Sequence, residues 1–225
     1  MRVAILSDIH SNLQALYAVL AELESDPPET VLCAGDIVGY GANPNECCEI
    51  ASRRCSKVVL GNHDHSAITG DTYLMNPYAA RASAWTAKML SGSSREFLAS
   101  LPREEHFVLG GMRVAMYHGS PRSMSEYIYE SDLDGLALDD AGADVVIMGH
   151  THVPYVRRVG RVLVVNPGSV GQPRDSDPRA SFAVLDTLAG NCQIRRLDYD
   201  IPGAARAIAS AGLPALLGER LYSGM

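Results

Sequence analysis

The chain has 225 residues, 47% of them hydrophobic and 20% charged, an ordinary globular balance that supports one sizeable core and lets residues 1–225 be read as a single domain. A net charge of −7 argues against general nucleic-acid binding, although divalent metals held at one place would still attract a phosphate. No stretch reaches the ~20 apolar residues of a membrane span, and the apolar run within Met1 to Asp8 is too short for a secretion signal, so a soluble, cytoplasmic protein without membrane association is expected.

Arg2 to Ser7 reads as a buried strand. The spacing then turns helical, with Leu13, Leu16, Tyr17, Leu20 and Leu23 on one face and Ser11 with Gln14 matching a capping box at the start. Thr30 to Ala34 is a second short strand, followed by a loop over Gly35 to Gly41. Asn43-Pro44 then supplies an N-cap and first-turn proline for a helix to about Cys55, and Lys57 to Leu60 is a third strand. Alternating strands and helices of this kind predict βαβ crossovers in a largely parallel sheet. Cys33, Cys47, Cys48, Cys55 and Cys192 are an odd set without a CxxC pair, which reads as reduced thiols rather than a disulfide framework or zinc ribbon.

Gly61 to His65 reads as a loop, and the Ala-, Met- and Leu-rich stretch from Pro77 to Leu101 as one or two helices. Hairpins are expected from His106 to Tyr117 across Gly110-Gly111, and from Val153 to Val165. Further strands are expected over Val145 to Met148, Ser181 to Asp186 and Gln193 to Asp198. Pro202 opens a short helix to about Ala211, stopped by Gly212-Leu213-Pro214, and Ala215 to Met225 give no firm reading.

Several of these strands run directly into loops that hold Asp, His or Asn: Asp8-Ile9-His10, Gly35-Asp36, Gly61-Asn62-His63-Asp64, His118-Gly119 and Gly149-His150-Thr151-His152. Residues at the carboxyl ends of neighbouring strands in an α/β sheet meet in one crevice. Carboxylate and amide oxygens mixed with imidazoles suit Mn, Fe, Zn or Ni and fit Ca or an all-thiolate site poorly. On extended backbone the pairs Asp8/His10 and His150/His152 would each face one metal; a turn between them would divide a pair between two metals.

In their order, DxH (Asp8, His10), GD…G (Gly35, Asp36, Gly41), GNHD (Gly61 to Asp64), a later His118 and GHTH (Gly149 to His152) resemble the calcineurin-like metallophosphoesterase superfamily. Asn166-Pro167-Gly168-Ser169 resembles a turn of its small bacterial and archaeal, phosphodiesterase-like members. The resemblance implies an α/β fold: a four-layer α/β/β/α sandwich of two mixed sheets flanked by helices. It also implies two divalent metal ions, manganese foremost with iron, zinc or nickel as alternatives. Asp8, His10 and His152 would hold one ion, Asn62, His118 and His150 the other, and Asp36 would bridge them. His63 would be the catalytic general acid, with Asp64 beside it to orient or polarise its ring. Two such ions lower the pKa of a bridging water so that hydroxide forms near neutral pH to attack the phosphate ester.

Departures from the pattern narrow the substrate. Phosphoprotein phosphatases of the superfamily carry GDxVDRG and GNHE, where this chain has Gly35-Asp36-Ile37-Val38-Gly39-Tyr40-Gly41 and Asp64. A phosphoprotein substrate is therefore less expected, and the short chain suits a small phosphate ester, a diester first, with a monoester or nucleotide also fitting; the alternatives are a protein or dinucleoside-polyphosphate phosphatase of the same superfamily, or a non-catalytic metal-bound scaffold. Arg174, Arg179, Tyr40 and Tyr78 are secondary candidates for contacting substrate, with solvated arginines and packing tyrosines the simpler expectation. His65 and His106 match no ligand position, and the oligomeric state is left open.

Overall fold

A computed structural model describes residues 1–136 and 142–225. In chain order the N-terminal half contains β1 (Arg2–Leu6), α1 (Leu13–Ser25), β2 (Thr30–Cys33), α2 (Pro44–Arg54), β3 (Lys57–Val58), α3 (Asn62–Thr69), α4 (Pro77–Met89) and α5 (Gly92–Ser100). The remainder contains β4 (Glu104–Leu109), β5 (Met112–Tyr117), a 3₁₀ segment (Glu130–Gly135), β6 (Val145–Ile147), β7 (Tyr155–Val159), β8 (Val162–Asn166), β9 (Ala180–Asp186), β10 (Asn191–Leu197), α6 (Ile201–Ser210), α7 (Ala215–Glu219) and a last 3₁₀ turn (Arg220–Tyr222).

The strands form two five-stranded mixed sheets, in the orders β10-β9-β1-β2-β3 and β4-β5-β6-β8-β7. β1, β2 and β3 are parallel neighbours, as are β5, β6 and β8, while the hairpins β9/β10, β4/β5 and β7/β8 supply the antiparallel pairs. Side chains alternate across a strand, and here both faces are covered. Val3 and Ile5 of β1 meet Val114, Met116, Val145, Ile147, Leu163 and Val165 of the other sheet, while Ala4 and Leu6 face the helices. The inter-sheet layer is why these strands read as continuous apolar runs rather than alternating ones. Behind the second sheet, Val146, Met148, Val162 and Val164 pack on Ile128 and on Leu133 of the first 3₁₀ segment.

Several local expectations shift. α1 is capped by Asn12, whose side chain accepts from Ala15 N at 3.1 Å, in place of Ser11. Its buried face is Ala15, Leu16, Val19 and Leu23, and Tyr17 is 56% exposed. The expected loop at Gly61 to His65 is instead the N-terminus of α3: only Gly61 stands outside the helix, as its N-cap. The run from Pro77 divides into two helices because Asn76 and Ser91 each cap a fresh start, accepting from Ala79 N and Ser94 N. The C-terminal residues form α7 and a 3₁₀ turn, which pack Leu217 and Leu221 against Ala204, Ile208 and Tyr40.

Candidate metal centre

Asp8 and His10 follow β1, Asp36 follows β2, Asn62 and His63 open α3 just after β3, His118 follows β5, and His150 and His152 follow β6. Each lies at the carboxyl end of a strand that runs parallel to a neighbour, so chain segments far apart in sequence deliver polar groups to one place between the sheets. All but Asn62 are buried.

The two carboxylates divide their oxygens in the same way. Asp8 Oδ2 accepts from Ser7 Oγ at 2.6 Å and from His150 N at 3.0 Å. Asp8 Oδ1 has no hydrogen-bond partner and lies 3.2 Å from His152 Nε2 and 3.6 Å from His10 Nε2. Asp36 Oδ1 accepts from His63 N at 2.8 Å, whereas Asp36 Oδ2 is unpartnered, 3.3 Å from His118 Nε2 and 3.6 Å from His10 Nε2. One oxygen of each acid therefore fixes the loop, and the other is aimed into the cluster.

The imidazoles are fixed from behind. Nδ1 of His10, His118 and His152 faces the carbonyls of Val38, Ala34 and Gln172 at 3.1, 2.7 and 2.5 Å. A carbonyl only accepts, so each Nδ1 carries a hydrogen and each Nε2 points inward, where it can meet a metal once it is unprotonated. His10 Nε2 lies 3.0 Å from His152 Nε2, and His118 Nε2 lies 3.1 Å from Asn62 Oδ1. His150 Nε2 is buried without a partner.

Three groups have donor atoms close enough to hold a metal ion: Asp8, His10 and His152; Asp36, His118 and His150; and His10, Asp36 and His63. Unsatisfied buried oxygens and nitrogens are rare because each costs ~1–3 kcal/mol, and a divalent cation would engage them together. The donor set thus fits the metals that the sequence suggested. Asp8 and His10 share one group, while His150 and His152 fall into different ones. Neither pair is extended: Asp8, His10, Asp36, His150 and His152 have φ of 54°, 50°, 53°, 65° and 60°. The ligand loops are therefore turned rather than extended, and such left-handed non-glycine residues concentrate at functional sites.

Two glycines explain how the loops approach so closely. A Cβ on Gly61 would collide with Asp36 Oδ1 and N, and one on Gly149 would collide with Ser7 Oγ and meet Asp8 Oδ2 at 2.9 Å. The Asn166 to Ser169 turn braces the same region: Asn166 Nδ2 donates to Gly149 O at 2.8 Å and Ser169 Oγ to Asp8 O at 2.7 Å.

Charge follows from this packing. Burial alone would raise Asp8 and Asp36, but the surrounding imidazoles hold both below the usual carboxylate range. Burial opposes charge on His118, yet the adjacent Asp36 outweighs it and lifts His118 to about 10. Burial drives His150 down to about 4, helped by the charge of His118, and His152 to about 3, helped by Arg174. Burial also lowers His63 below its ordinary value.

Asp64 corrects the sequence reading. Its oxygens accept from Val38 N at 3.0 Å and Gly61 N at 3.1 Å, while His63 Nδ1 has no partner. Asp64 therefore ties the Asp36 loop to the start of α3 and does not hydrogen-bond the His63 ring. That ring instead packs between Tyr40 and His10, with centroids 4.4 and 4.8 Å away.

Residues outside the motifs complete the surroundings. Tyr40 is buried, and Arg174 donates to its hydroxyl at 3.1 Å, so this arginine is not a solvated loop residue. Arg179 pairs with Asp177 at 2.7 Å on the surface, and Tyr78 is exposed on α4. His106 Nε2 lies 3.3 Å from Tyr117 OH, outside the cluster. Asn62, His63 and His150 open onto a cleft whose other walls include Leu74, Met75, Ser125 and Tyr127. Tyr127 lies over His150, with ring centroids 4.1 Å apart, a position that no sequence motif signalled.

The family model described as the Calcineurin-like phosphoesterase superfamily domain matches residues 1–190. The chain is 37% identical to Uncharacterized protein MJ0912 of Methanocaldococcus jannaschii, over 99% of this chain and 98% of that protein. It is 24% identical to Phosphodiesterase YfcE of Escherichia coli K12, over 83% of this chain and 88% of that protein. Among solved structures, a metallophosphoesterase from Sphaerobacter thermophilus superposes with a TM-score of 0.87 at 35% identity, covering 100% of this chain and 99% of that one.

Proposed function

The chain belongs to the calcineurin-like phosphoesterase superfamily and is a metal-dependent phosphoesterase, and we propose that it hydrolyses small phosphodiesters at a binuclear metal centre. The observation that carries this reading is the pair of buried carboxylates whose free oxygens, Asp8 Oδ1 and Asp36 Oδ2, both face His10, with His152 beside the first and His118 beside the second. Asp8, His10 and His152 would hold one metal and Asn62, His118 and His150 the other, with Asp36 shared. Its Oδ2 is near both His10 and His118, which supports the bridging role. Manganese is the first choice on donor chemistry, with iron, zinc and nickel compatible.

Two divalent ions held by these residues would supply activated solvent and neutralise charge on the phosphoryl oxygens. The protein does the rest. The loops fix the donors before any ligand arrives, so little reorganisation is needed at the moment of reaction. His63 faces the cleft beside Asn62 and His150, where the ester's leaving group would lie. Burial keeps the free ring neutral, and the negative charge of a phosphate ester beside it favours the protonated form. His63 would then donate that proton to the departing oxygen, a role worth ~10²–10⁴-fold. Asp64 acts at one remove, by holding Val38 and Gly61.

Five unpaired cysteines support a reducing, cytoplasmic setting. Among the described residues, no helix is long and apolar enough to cross a membrane. The deciding experiment strips the protein of metal, reloads it separately with Mn, Fe, Zn and Ni, and assays bis-p-nitrophenyl phosphate and p-nitrophenyl phosphate. Activity that requires metal and favours the diester is expected. No hydrolysis with any metal would end the proposal.

A further inference from the structure

The cleft that opens onto the metal centre draws its walls from two separate loops. Leu74 and Met75 belong to the connection between α3 and α4, and Ser125 and Tyr127 to the segment that follows His118; Asn62, His63 and His150 share the same lining. Gly70 ends α3 in the left-handed conformation, with φ of 79°, and Asn76 caps α4, so the first loop is pinned at each end. Inside it, Tyr73 N donates to Asp71 Oδ1 at 3.1 Å and Met75 N to Thr72 O at 2.9 Å. Met75 packs on the cluster that contains Tyr40, whereas Leu74 stays 76% exposed. In the second loop, Glu126 is bound by Ser120 and Arg122, and buried Ile128 accepts from Tyr155 OH at 3.0 Å. Tyr127, between these two anchors, lies over His150 and is still 49% exposed. Large apolar and aromatic side chains held open in a groove mark a place where a ligand covers them, because that burial is favourable.

The chemistry of the walls restricts what that ligand can be. None of the residues that line the cleft is Asp, Glu, Lys or Arg; its titratable groups are the two imidazoles already assigned and the hydroxyls of Tyr40 and Tyr127. A carboxylate, ammonium or further phosphate entering there would lose water without gaining a charged partner. The reaction adds a direction. His63, the proposed proton donor, lines this cleft, and a general acid must come within hydrogen-bond reach of the oxygen that departs. Whatever that oxygen carries therefore extends along the Leu74 and Tyr127 walls.

We propose that the cleft is the leaving-group subsite and that it selects an uncharged alcohol bearing an aromatic ring, with Tyr127 and Leu74 as the specificity-determining walls. The inference rests on the phosphodiesterase reading above and narrows it to the chemistry of the departing half. A ring held there covers the half-exposed Tyr127 and the Leu74 side chain, and aromatic rings gain from one another beyond the area they bury. Both loops are fixed by their own hydrogen bonds, so the walls stand ready before substrate arrives.

The test uses intact, manganese-loaded protein and the methyl phosphodiesters of phenol and 2-naphthol, leaving groups of similar acidity that differ by one fused ring. In the unaltered protein, kcat/KM should favour the naphthyl ester roughly fivefold, after division by the same ratio in alkaline hydrolysis. Tyr127→Ser and Leu74→Ser should each bring that ratio below roughly twofold, and Tyr127→Phe should keep it. Leu74 is exposed and lies outside the ligand loops, so its replacement tests the wall without disturbing fold or metals. The readout is a ratio within each variant, so a general loss of activity cancels. A second pair, benzyl and 2-naphthylmethyl p-nitrophenyl phosphate, puts the ring on the half that stays, with p-nitrophenolate leaving from both, and its ratio should not respond to Tyr127→Ser. Hydrolysis of the methyl esters without preference, a preference that either serine variant leaves intact, or a response in the second pair overturns the subsite. Failure to hydrolyse any of these esters overturns the parent reading and the subsite with it.

Discussion

The main-chain N–H of His63 donates to Asp36 Oδ1 at 2.8 Å, so the residue proposed to move a proton also holds the residue proposed to bridge the metals. The bond comes from backbone, at the first turn of α3, and survives any change of the His63 side chain. Binding and proton transfer are consequently separable by mutation.

His63→Ala should leave metal content unchanged and lower turnover ~10²–10⁴-fold. The loss should be smaller for a p-nitrophenyl leaving group, which departs readily as an anion, than for an alkyl alcohol, which needs the proton. Equal losses on both would remove His63 from general-acid catalysis.

Asp36→Asn preserves an acceptor for His63 N but replaces the charged Oδ2 that faces His10 and His118. Metal affinity should fall beyond the ~10–100-fold typical of groups that merely support ligands. Emission spectrometry on dialysed protein measures it, and two tightly held ions per chain in the variant would refute the bridging assignment.

Asp64→Asn replaces one carboxylate oxygen with an amide that cannot accept, so either Val38 N or Gly61 N loses its acceptor. Stability should fall by ~1–3 kcal/mol. Because Asp64 braces the loop and does not touch the His63 ring, the dependence on leaving group should match that of the unaltered enzyme. A dependence resembling that of His63→Ala would restore the direct role.

Gly149→Ala places a methyl group against Ser7 Oγ and Asp8 Oδ2. Overpacking of this kind costs ~1–3 kcal/mol, and the displaced Asp8 should lower occupancy at the Asp8/His10/His152 position. Thermal melting and metal analysis report the two effects, and normal values for both would show that the loop has room to spare.

Metal uptake should release protons. In the metal-free protein Asp36 lifts His118 to about 10, so this ring is protonated near neutral pH, whereas His150 and His152, at about 4 and 3, are already neutral. A ligand nitrogen must be unprotonated, so about one proton per chain should leave His118 on loading, and apparent affinity should rise with pH up to about 10. Titration calorimetry in buffers of different ionisation enthalpy counts that proton, and a heat independent of buffer would contradict the assignment.

Much of this protein was legible before any coordinates. Apolar strand runs ending in Asp, His and Asn gave the α/β class and the ligand candidates, because strand length and burial leave a strong local pattern and metal chemistry restricts donor types. The sequence also framed two outcomes for His150 and His152, one metal or two. Only the fold placed the two imidazoles in different donor groups, on turned loops packed as closely as Gly149 is against Ser7 and Asp8. The partners of Asp64, the helical setting of His63 and the contact of Arg174 with Tyr40 are likewise long-range facts. They are fixed by which segments touch across the fold, and no local window of residues carries that information.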